Sequence, residues 1–186
     1  RYLWNKGHRR IGFASTNRCH QMFFDRHVGY EYFLSQHDAY DPKLDCALML
    51  SDQNRPEENF PDMTQIAEML FSQPRPPTAI IAANDWMAAG LYEALFARNL
   101  RIPEDVSVIG FDNLPQLCLR PRLTSFAVPM QEMGRVAAEL LLDRIAAGSL
   151  STGAVPEFRM VTGQIVEHGS VATHLEIVES NSLYNS

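Results

Sequence analysis

The chain has 186 residues, enough for one domain of ordinary size or two small lobes. Hydrophobic content of 46% and charged content of 20% provide for a buried core and exclude a disordered chain. A formal net charge of −6 argues against this stretch gripping nucleic acid by itself, since a duplex calls for a basic face.

No apolar run approaches the roughly 18 residues needed to cross a bilayer, and nothing at the N-terminus reads as a signal peptide. The three cysteines, Cys19, Cys46 and Cys118, are scattered and lack any ligand spacing, which points to a reduced, cytoplasmic compartment.

The opening "RYLWNKGHRR" reads as the end of a helix, with Leu3 and Trp4 for burial and Gly7 where a C-cap belongs. A chain that begins inside a helix reads as a fragment. "IGFAS" (Ile11–Ser15) is a short apolar strand followed by a turn-like "TNR", and an aromatic-rich segment around Asp25–Gln36 is long enough for a helix. "CALML" (Cys46–Leu50) is a second strand, and the polar "SDQNRPEEN" after it is a loop. Phe60–Ser72 carries Ile66, Met69 and Leu70 at helical spacing and ends before "QPRPP", through which no helix continues. "TAIIAA" is the third strand, Trp86–Arg98 the next helix and "VSVIGF" the fourth strand. Strand and helix in strict succession predict an α/β fold, with βαβ units and a parallel sheet flanked by helices.

After Phe111 the rhythm breaks. "LTSFAV" is one more strand and leads into Met130–Ala147, an amphipathic helix with Met133, Val136, Ala137, Leu140 and Leu141 on one face. Glu132, Arg135, Glu139 and Asp143 fill the other. "PEFRMVTGQIVEHGS" alternates like a late edge strand or hairpin, and "SLYNS" reads as a loose tail.

In a parallel α/β sheet, ligands bind in the crevice at the carboxyl ends of the strands. Asn17, Asn84 and Asp112 each lie just past a strand, so all three come to that rim. Each could equally cap the helix or turn that follows, and Asn84 or Asp85 before Trp86 is a good N-cap. No phosphate-cradling glycine loop or nucleophile elbow is present, and the six histidines form no metal-ligand pair on a helix face. Cys19 and His20 read as loop residues. The expectation is a binding module rather than an enzyme, with no cofactor and no metal. On helix Trp86–Arg98, Met87, Leu91 and Leu95 form one apolar stripe, and Tyr92 and Phe96 with Ala88 and Ala89 form another. Such a helix is either internal or packs on the core and on a second copy.

Five segments in register carry a family resemblance: "GHRRIGF", the Arg26–Tyr30 "R-x-x-G-Y", "AIIAANDWMAAG", "IPEDVSVIGFDN" and "LTSFAVPMQEMGRVAAELLLDRI". Together they resemble the effector-binding domain of lactose-repressor-type (LacI/GalR) transcriptional regulators, over nearly the whole chain except the tail. The resemblance implies a periplasmic-binding-protein-like fold of two α/β lobes with an effector held between them. Residues 8–126 and 155–172 would form the C-terminal lobe, 1–7 and 128–150 part of the N-terminal lobe, and 173–186 a tail. The helix-turn-helix that binds operator DNA would lie outside this chain.

Carried over residue by residue, the effector contacts fall on Arg26, Asn84 and Asp112, with Asn17 and Met130 beside them. That set suits a sugar: Arg26 offers a planar fork of donors, Asp112 accepts hydroxyl protons, and Asn84 donates and accepts at once. Where some members place an aromatic against the ligand, this chain has Met130, which has no ring to stack, and Phe23 or Phe24 is left to supply one. The resemblance further implies a homodimer, with Trp86, Tyr92 and Phe96 on its face, in a cytoplasmic regulator whose effector modulates operator binding. The alternative is a free-standing solute-binding protein of the same fold.

Overall fold

A computed structural model describes residues 1–16, 20–48, 62–147 and 157–174. Asn17, Cys19, most of the loop after the second strand, and the last residues of the chain lie outside them.

The described residues alternate as the apolar pattern requires. A short helix α1 (Tyr2–Asn5) leads to β1 (Ile11–Thr16), then α2 (Gln21–Ser35), β2 (Asp45–Leu48), α3 (Thr64–Phe71), β3 (Ala79–Ala82), α4 (Asp85–Ala97) and β4 (Ser107–Asp112). Then come β5 (Thr124–Ala127), α5 (Met130–Ala146) and β6 (Gln164–Val166). The strands form one sheet in the order β2-β1-β3-β4-β5-β6, parallel throughout except for β6, which runs antiparallel to β5 at the edge. The last alternating segment is therefore an edge strand rather than a hairpin.

Two boundaries differ from the sequence pattern. Helix α2 starts at Gln21, four residues before Asp25, because Gln21 Nε2 donates to Asp25 Oδ1 at 2.7 Å and Phe23 turns into the core. Helix α3 starts at Thr64, whose backbone N–H donates to Asp62 Oδ1 at 2.9 Å.

Successive side chains of each strand leave opposite faces of the sheet. Gly12, Ala14, Ile80, Ala82 and Val108 meet α3 and α4, where Ile66, Leu70, Met87, Leu91 and Leu95 are buried. Phe13, Ile81, Ile109 and Phe111 line the other face, together with Tyr30 and Leu34 of α2. There a groove of about 280 Å³ runs from Tyr2 along the sheet to Arg26.

Helix α4 departs from a simple amphipathic element. Met87, Ala88, Leu91, Tyr92 and Leu95 are all buried within the chain. Tyr92 is 1% exposed, donates from its hydroxyl to the Pro121 carbonyl at 3.2 Å and stands edge-on to Phe96 at 5.7 Å. The second stripe, assigned to a dimer face from the sequence, is thus packed from inside the chain at Tyr92. Of the three residues so assigned, Trp86 is half-buried and Phe96 is 45% exposed.

Helix α5 has no buried residue. Its polar side is braced by Arg135, which bonds to Glu132 and Glu139, and Met133, Leu141, Leu142 and Ile145 are exposed. At the opposite end of the sheet, His174 N–H donates to the Lys6 carbonyl at 2.7 Å and its ring stacks on His8 at 5.3 Å. Gly7 adopts φ 92°, and a Cβ there would run into the His174 carbonyl, so the close approach requires glycine. His174, placed with the tail in the sequence reading, is therefore docked against the first crossover.

Candidate ligand-binding site

The sheet order reverses at β1, which pairs with β2 on one side and β3 on the other. Loops leaving the carboxyl ends of strands on either side of such a point diverge to opposite faces and open a crevice. Arg26, Asn84 and Asp112 all belong to this rim: the first lies on the helix after β1, the second directly after β3, the third at the end of β4.

Arg26 is the centre of the arrangement. Its guanidinium lies 3.6 Å over the Phe111 ring, which in turn stacks on Phe126 at 4.7 Å. One terminal nitrogen donates to the Ala83 carbonyl at 2.5 Å, and the other reaches Asp112 Oδ1 at 3.4 Å. A charge-assisted pair normally closes to about 2.7–2.9 Å, so this one is loose. Burial dominates both partners: it lowers the Arg26 pKa from its ordinary value and raises that of Asp112, with Asp85 nearby adding to the latter. Each charge is held with less compensation than it could use. That is the condition under which a ligand supplying hydroxyl donors and acceptors gains most.

Asn84 performs the capping task. Its backbone is extended, and its Oδ1 accepts from Met87 N–H at 2.8 Å, closing the N-terminus of α4. The two donors of its carboxamide are not used by that bond, so capping and ligand contact are compatible. A substitution pair separates them. Asn84→Ala is expected to lower stability by about 1 kcal/mol through the lost cap. Asn84→Ser is expected to keep the cap and lose only the carboxamide N–H. Urea denaturation of the two variants reads the difference, and equal destabilisation by both would show that the cap is not what Asn84 contributes.

The remaining site candidates divide. Phe23 is buried with its ring 5.8 Å from the Arg26 guanidinium, whereas Phe24 is exposed. Met130 is 71% exposed and lines a separate depression with Pro129, Glu132 and Arg135, not the groove beside Arg26. Asn17 lies outside the described residues.

Sequence reasoning missed two participants. Phe111 reads as an ordinary strand residue, yet it is the platform under Arg26. Asp85 reads as a spare cap, yet it is 2% exposed and accepts Leu114 N–H and Ser125 Oγ–H, each at 2.7 Å. The available signal was an acid directly after a residue that already caps the helix, and so not needed as the cap itself.

The fold is α/β, and the rim at its topological switch is a candidate ligand site. Residues 1–171 match the periplasmic binding protein-like domain. The chain belongs to that family, and the relatives and solved structures that it matches are LacI-type transcriptional regulators. It is 32% identical over 173 residues to the HTH-type transcriptional repressor CytR of Escherichia coli K12, an alignment covering 91% of this chain and 47% of that protein. A putative LacI-family transcriptional regulator from Rhizobium etli superposes with a TM-score of 0.75 at 32% identity, covering 92% of this chain and 59% of that one. A LacI-family regulator from Enterococcus faecium with bound ribose superposes with a TM-score of 0.72 at 26% identity, covering 94% and 60%. The chain spans about half the length of the curated relatives it matches. Among the described residues, no helix is long and apolar enough to cross a membrane.

Proposed function

We propose that this chain is the effector-sensing region of a cytoplasmic, DNA-binding transcriptional regulator, and that its effector is a sugar. The observation that carries this reading is the rim itself. Arg26 and Asp112 form a loose, partly desolvated pair beside Asn84, whose N–H donors the helix cap does not use, at the switch point of a parallel sheet. Such a set offers a planar donor fork, an anionic acceptor and a carboxamide, which matches adjacent hydroxyls on a ring. The kinship with helix-turn-helix repressors and with a ribose-bound regulator supports the same reading.

In this function the ligand is bound and released unchanged. Closure of the crevice around it biases the arrangement of two subunits, and so couples effector affinity reciprocally to operator affinity. A thermal-shift panel of mono- and disaccharides, nucleosides and sugar phosphates tests the proposal. A bound effector at about a hundred times its dissociation constant is expected to add roughly 2.7 kcal/mol and to be recovered chemically intact. Stabilisation by none of the sugars would remove the sugar reading, and conversion of a bound compound would remove the sensor reading.

A further inference from the structure

We propose that Asp85 is a positioning residue for effector recognition: its buried carboxylate holds the turn that presents Asp112. This rests on the reading of Asp112 as a ligand contact and adds how that contact is aimed. At the end of β4 the chain takes two left-handed residues in succession, Asp112 at φ 113° and Asn113 at φ 55°. Asparagine tolerates that region, whereas φ 113° is costly for aspartate and persists only where the surroundings impose it.

The surroundings here are a three-link network. Leu114 N–H donates to Asp85 Oδ2 at 2.7 Å, Ser125 Oγ–H donates to Asp85 Oδ1 at 2.7 Å, and Asn113 N–H donates to Ser125 Oγ at 3.0 Å. Both amides that follow Asp112 are therefore tied, directly or through Ser125, to one carboxylate. Asp85 can reach them because it occupies the first turn of α4, where the cap on Asn84 orients it, and because residue 110 has no side chain. A Cβ on Gly110 would run into the Asp85 carboxylate and lie 2.8 Å from Leu123 Cδ2. The space for the carboxylate is thus made on the same strand that it steadies. A carboxylate accepts from the Leu114 N–H and the Ser125 O–H at once, whereas an amide in its place keeps an acceptor for only one of them and reverses the bond to the other.

The test uses Asp85→Asn and Gly110→Ala, the second acting on Asp85 by displacement, each made in the intact protein. Backbone couplings and shifts of Asn113 and Leu114 by NMR, or a crystal structure, read the turn without any ligand. Titration with D-ribose, at a temperature where every variant is folded, reads recognition in wild type, the two variants and Asp112→Asn.

The expected result is loss of the left-handed pair at 112 and 113, with ribose affinity of the folded protein reduced about ten- to a hundredfold in both variants. A residue with a merely structural role would lower the melting temperature and leave that affinity unchanged. An unaltered turn in both variants overturns the proposal. So does ribose binding that is lost in Asp112→Asn and intact in Asp85→Asn. Binding unaffected by Asp112→Asn, or absent in wild type, counts instead against the ribose-type site, and the turn geometry still decides the role of Asp85. If Asp85→Asn does not fold, Gly110→Ala and Ser125→Ala, which removes one link of the three, carry the same readouts.

Discussion

Asp112→Ala is expected to weaken effector binding by about 2–4 kcal/mol, a loss of roughly 30- to 1,000-fold. The carboxylate is the anionic acceptor of the rim, and without it the ligand hydroxyls that it accepted are left desolvated in a closed crevice. Arg26 also loses the counter-charge that it contacts at 3.4 Å. The pH dependence follows from the same group. Burial raises the Asp112 pKa above the ordinary aspartate value of 3.8, so the neutral form appears at a higher pH than for an exposed carboxyl. Recognition uses the ionised form, and affinity is therefore expected to fall as pH descends through that raised pKa. For stability the sign is opposite. A group whose folded pKa is raised adds stability at low pH and loses it as pH rises through that value, so ligand-free protein carries a cost at this site that ligand relieves. Calorimetric titration across mildly acidic to neutral pH checks both statements. Unchanged affinity in Asp112→Ala would return Asp112 to the role of a turn residue.

Tyr92→Ala is expected to destabilise the fold by about 3–5 kcal/mol. The ring is 1% exposed and the hydroxyl is bonded to the Pro121 carbonyl, so truncation leaves both a cavity and a stranded acceptor. Four residues along α4, Phe96 is 45% exposed. Phe96→Glu is expected to change stability by no more than about 1 kcal/mol and, if Phe96 belongs to a face between subunits, to shift the protein to monomer in sedimentation velocity. Tyr92→Ala retaining wild-type stability would contradict the packing of α4. Phe96→Glu sedimenting as wild type would remove Phe96 from any subunit interface.

Much of the architecture was legible in the residues. Short apolar runs such as "TAIIAA" and "VSVIGF", separated by segments of helical period, predict a parallel sheet because strands covered on both faces leave no room for polar alternation. The polar residues that end those runs were legible as a group, since topology alone brings strand ends to one rim. Asn84 shows that the two readings of such a residue need not exclude each other: the bond that caps α4 uses its oxygen and not its N–H donors.

What periodicity cannot report is which layer lies against a given stripe. Two apolar stripes on α4 are equally consistent with an internal helix and with a subunit face, and the contact of Tyr92 with the residue 121 backbone is visible only in the tertiary structure. The same holds for the contacts that shape the site. Arg26, Asp85, Phe111 and Ser125 lie on four different elements, and no local pattern marks them as neighbours. Their chemistry was written in the chain. Their meeting was decided by the crossovers of the sheet, because the interactions that tune Asp112 act over a few ångströms in space between residues up to 86 positions apart.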